Sequence, residues 1–171
     1  MKKDIVEQLE ETTNELLQLV SSFGEEEINS LPFKDSWTAA QVADHITKSN
    51  ASMIRSLSEE GKISSRSIDE GVPKLKEIFL DFTSKLQSPK FILPTRDTYS
   101  KEIVVADLKN SIEQIKKLSN TINLSEIVNH RVFGEITKFE ILHFVVYHTQ
   151  RHIYQLKNIL QRVKSSSREK V

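Results

Sequence analysis

Apolar positions recur at helical spacing through most of this chain. Ile5, Leu9, Leu16 and Val20 form one stripe, with Leu17 beside it, and predict a helix over residues 3–22. Gly24 breaks the pattern, and residues 25–36 read as a connection with one short helical turn. A second helix opens at a capping box, in which the Thr38 hydroxyl and the Gln41 side chain satisfy free N–H groups. Val42, His45, Ile46, Ser49 and Met53 then share a face, and Trp37 can pack back from just before the cap. This helix is expected to end near Leu57, ahead of Gly61, and the serine-rich residues 58–70 to form an exposed loop. Pro73 suits the first turn of a further helix, along which Leu75, Ile78, Phe79, Phe82 and Leu86 keep helical register until Pro89. Leu108, Ile112, Ile115 and Leu118 predict a helix over residues 101–120. Residues 129–134 read as a turn, and Thr137 with Glu140 makes a second capping box for a last helix reaching about Val163.

No internal repeat or linker interrupts this series. The pattern predicts an all-α bundle, one domain over residues 1–163, followed by a flexible polar tail at 164–171. The 171 residues suffice for one real core, and only four glycines and four prolines occur, which favours long helices over many short strands. Lys and Arg number 24 and Asp and Glu 24, so there is no basic excess of the kind that nucleic-acid binding requires. There is no cysteine, which excludes disulfides, thiolate metal sites and a cysteine nucleophile. No apolar run approaches a membrane span or a signal peptide, so a cytoplasmic location is the default expectation.

The five histidines carry most of the chemistry. His148 and His152 are four apart on the last helix, so their rings stack on one face and can converge on one cation. That face also carries Ile141, Val145, Gln155 and Ile159, and therefore looks inward, away from Arg151 and Lys157. His45 lies on the apolar face of the second helix, which a bundle turns toward the last one. Three neutral imidazoles would supply three ligands and leave a further position open. His143 is turned away by roughly 140° on an ideal helix, and His130 sits in the loop before the last helix, its role open. Gln41 and Gln155 lie one turn from His45 and His152 and are candidates to support them by hydrogen bonds, or are ordinary polar residues of the rim.

The run Ser36-Trp37-Thr38-Ala39-Ala40-Gln41-Val42-Ala43-Asp44-His45-Ile46 resembles the second-helix motif of the DinB-like superfamily. Gly134-Glu135-Ile136-Thr137, followed by the run from His148 to Leu156, resembles the last helix of that family, and the order of elements matches over nearly the whole chain. The resemblance implies an up-and-down four-helix bundle with an additional short helix. It also implies a three-histidine site for one divalent metal, zinc or nickel, at His45, His148 and His152. Members of the superfamily include S-transferases that use bacillithiol, mycothiol or glutathione, and others described as metal-dependent hydrolases. The expected function is therefore activation of an external thiol for transfer to a small electrophile. Metal-dependent hydrolysis, or a non-catalytic metal- or small-molecule-binding stress protein, is the alternative. A homodimer is expected from similar bundles.

Overall fold

The computed structural model describes residues 2–168. Five helices account for most of it: α1 (Lys2–Ser21), α2 (Ala39–Ser58), α3 (Val72–Leu80), α4 (Lys101–Thr121) and α5 (Lys138–Arg168). The four long ones form the bundle and α3 is the short addition. Both capping boxes are in place. Thr38 Oγ1 accepts from the Gln41 amide at 3.2 Å and Gln41 Oε1 from the Thr38 amide at 3.0 Å. The reciprocal pair at α5 joins Glu140 N to Thr137 Oγ1 (3.1 Å) and Thr137 N to Glu140 Oε2 (2.8 Å). Without these acceptors the first-turn amides would lose their partners within a buried end.

Two apolar clusters fix the helix directions. One gathers Ile5 and Leu9, Met53 and Leu57, Ile115, and Ile141 and Val145. The other gathers Leu16 and Val20, Val42 and Ile46, Leu108 and Ile112, and Leu156 and Ile159. The start of α1 thus lies with the end of α2, the end of α4 and the start of α5. The helices run up, down, down, up, and not in strict alternation. Both α1 and α2 pack on α4 and on α5. The parallel step from α2 to α4 is allowed by the long connection through residues 59–100.

That connection and the one before α5 depart from an all-helical expectation. A small antiparallel sheet of order β1-β2-β3 joins Lys62–Ile63, Glu126–His130 and Gly134–Thr137. Its hairpin turns through residues 131–133, where the turn was expected, and Gly134 takes a φ of +67° that side chains with a Cβ rarely adopt. Helix α3 ends at Leu80, six residues short of Leu86. Asp81 begins a local turn, its Oδ1 accepting from Thr83 N at 3.0 Å and Thr83 Oγ1 at 2.5 Å, which competes with continued helix. At the other extreme α5 runs on to Arg168, past the expected end near Val163. Residues 169–171 of the expected polar tail lie outside the described residues. Among the described residues no helix is long and apolar enough to cross a membrane.

Candidate metal centre

His45 on α2 and His148 and His152 on α5 meet between the two helices. They are 1%, 6% and 7% exposed. His148 Nε2 lies 3.1 Å from His45 Nε2 and 3.1 Å from His152 Nε2, and the three atoms lie within 4.8 Å of one another. Two imidazole nitrogens bound to one ion at about 2.0–2.1 Å, with bonds meeting at roughly 100°, are separated by a similar distance.

The remaining ring nitrogens say which protons are present. His45 Nδ1 donates to the Ile92 carbonyl at 2.9 Å, and His152 Nδ1 donates to Gln155 Oε1 at 2.8 Å. Each neutral ring therefore points a bare Nε2 lone pair at His148. His148 can place one proton on its own Nε2 and can serve only one of the two. A cation at the shared point satisfies all three lone pairs at once, so the donor set fits a divalent metal.

The electrostatics agree. Burial is the first cause that lowers the affinity of all three rings for a second proton. Mutual repulsion with the neighbouring rings adds to it at His148, and His152 is lowered to about 3. Neutral rings are the form that binds metal. Phe144 stacks on His148 with centroids 5.0 Å apart, and Trp37 lies 5.1 Å from His45, so aromatic rings flank two of the three imidazoles.

The site opens into a cleft of ≈ 1450 Å³. Phe79, Phe82, Phe133 and Tyr154 help to line it, and among the described residues Asp35 is the one carboxylate of its lining. Phe82 and Leu86, expected on a helix, stand here because α3 stops early. Arg151 holds that segment: its Nη1 donates to the Asp81 carbonyl at 2.7 Å, and its Nη2 to that of Ser84. It is thus a strut for the cleft wall, a role its place on the polar side of α5 did not announce. Gln155 supports His152 as described, whereas Gln41 is engaged in the capping box and donates through Nε2 to the Arg96 carbonyl at 3.0 Å. His143 packs between Phe139 and Tyr147, away from the three rings. His130 also faces the cleft, paired with Ser52.

The sequence pattern of the DinB superfamily matches residues 8–156. The chain belongs to the DinB superfamily. An uncharacterized protein of Bacillus subtilis (strain 168), YuaE, is 26% identical over 156 residues, which cover 90% of this chain and 93% of that one. Two solved structures share the fold. TT2238, described as a four-helix bundle protein, superposes with a TM-score of 0.61 at 18% identity, covering 92% of this chain and 98% of its own. YfiT from Bacillus subtilis, described as a probable metal-dependent hydrolase with an unusual four-helix bundle topology, gives 0.62 at 22% identity, covering 94% and 86%.

Proposed function

We propose that this member of the superfamily is a metal-dependent enzyme that transfers an external low-molecular-weight thiol onto a small electrophile. His45, His148 and His152 hold one divalent ion, zinc or nickel, on its inner side. When bound, such an ion lowers the proton affinity of a thiol or a water placed against it. The observation that carries the reading is the pair of bare Nε2 lone pairs converging on His148 at the foot of an open cleft.

The chain's own residues do the rest. The Ile92 carbonyl and Gln155 fix two ring orientations. Phe79 and Phe144 pack their rings against His148. Arg151 holds the outer wall in place. The chain has no cysteine of its own, so the thiol must arrive as a cosubstrate. At ≈ 1450 Å³ the cleft exceeds the ~300–1,000 Å³ of a usual single-ligand pocket, leaving room for two molecules. The scarcity of carboxylates beside the histidines argues against a dedicated general base of the kind hydrolysis usually employs.

Hydrolysis is the second reading, favoured by the description of YfiT. The two separate in one assay of zinc- or nickel-loaded protein with 1-chloro-2,4-dinitrobenzene and a panel of esters. Turnover of the aryl chloride only when glutathione, bacillithiol or mycothiol is added supports transfer. Ester cleavage without thiol supports hydrolysis and contradicts transfer.

A further inference from the structure

The cleft has a second polar station besides the three histidines. An aromatic wall leads to it from His148 through Phe144 and Phe133 to His130, with successive ring centroids 5.0, 4.9 and 5.2 Å apart. On α2, Ser52 follows His45 by seven residues, about 10 Å along the helix axis, and lines the same cleft. His130 is 3% exposed, and its Nε2 lies 3.1 Å from Ser52 Oγ.

The hydrogen-bond direction in this pair is determined. The Val132 amide donates to His130 Nδ1 at 3.2 Å, so Nδ1 presents its lone pair. A ring that accepts at Nδ1 is neutral, and burial, with the charge of Arg131 behind it, lowers its affinity for a second proton. Its one proton therefore sits on Nε2 and is donated to Ser52 Oγ. An oxygen that receives this bond has its own O–H left to give. Among the described residues Ser52 makes no other hydrogen bond that would use it, and the open side of the residue is the cleft.

We infer that Ser52, oriented by His130, binds a hydrogen-bond acceptor oxygen at the far end of the substrate. The substrate is then a flat apolar molecule, aromatic for preference. Its reacting centre lies at the three histidines and its carbonyl, nitro or ether oxygen about 10 Å away, two helical turns along α2. The inference rests on the reading of this cleft as the substrate site, and holds for either reaction there.

Trp37 is the single tryptophan of the chain and lines the cleft, so its fluorescence, excited at 295 nm, reports occupancy. Metal-free protein is titrated with 4-phenylbutan-2-one and with its hydrocarbon counterpart, 3-methylbutylbenzene. The ratio of ketone to hydrocarbon affinity is expected to be about 2- to 12-fold higher in the wild type than in Ser52→Ala, the net gain of one neutral hydrogen bond. Ser52→Ala is expected to lose affinity for the ketone while its affinity for the hydrocarbon is retained. Alanine at a half-buried helix position keeps the fold, so this variant decides the matter even where His130→Phe fails to fold. A folded His130→Phe is expected to lose most of this gain. A ketone-to-hydrocarbon ratio that is the same in wild type and Ser52→Ala overturns the proposal. The titration contains neither metal nor thiol, so its outcome and that of the transfer assay are independent.

Discussion

His148 is the residue on which the centre turns, because its Nε2 is the near neighbour of both other rings. The side chains around it have separable jobs. Gln155 holds the His152 ring, so Gln155→Ala is expected to weaken zinc binding by about 10-fold or more in a chelator-competition titration. Gln41 serves a helix end instead. Gln41→Ala should cost about 1 kcal/mol in denaturant unfolding and leave zinc affinity unchanged. An equal loss of zinc affinity in both variants would contradict this division. At this scale the three histidines were legible in advance, since helical periodicity alone put each on an inward stripe. The Ile92 carbonyl that orients His45 was not, because it comes from a single 3-10 turn whose position no local pattern specifies.

Among the elements, the start of α5 is held by one buried carboxylate. Glu140 receives the Arg66 guanidinium as a fork, both bonds 2.7 Å, and the Gly71 amide at 2.6 Å. A Cβ on Gly71 would lie 2.8 Å from Glu140 Oε1, so only glycine allows that approach. Burial pushes this carboxyl up, but the Arg66 fork and the Thr137 and Gly71 amides outweigh it and leave it below the ordinary value of 4.5. Glu140→Gln is expected to cost about 2–3 kcal/mol at pH 7, toward the low end for a broken buried pair because Arg66 still reaches water. A depressed carboxyl adds stability that is full above its unfolded value and vanishes as pH falls through its folded one. The gap between wild type and variant should therefore be constant from neutrality to about pH 5 and shrink below 4.5. A gap that grows on acidification would refute the assignment. Arg151→Ala is expected to speed amide exchange in residues 81–88 and leave the long helices protected. Both capping boxes were readable from four residues each. The early end of α3 was not, because the apolar spacing continues through Phe82 and Leu86 and the decision falls to Asp81 and to Arg151, 70 residues away. The sheet escaped for a related reason: β1 is two residues long and exists only because β2 lies beside it.

For the molecule as a whole, the two apolar clusters are stacked halves of one core, each built from all four long helices. Unfolding is expected as a single transition, and Leu108→Ala in one half should lower its stability by about 3 kcal/mol. Two separated transitions would contradict a shared core. The bundle class was evident from five amphipathic stretches and few chain breakers, but the order of helices was not. Stripes tell which face is buried, and not which neighbour covers it. That order matters for function, because the packing of α2 against α5 is what brings His45 to a pair 103 residues further on. The account therefore stands on a metal that needs both helices. Its most direct test is metal content by mass spectrometry for wild type, His45→Ala and His148→Ala, each reconstituted with zinc, dialysed and shown to be helical. The expected result is about one ion per chain in the wild type and almost none in either variant; equal content in all three would contradict it.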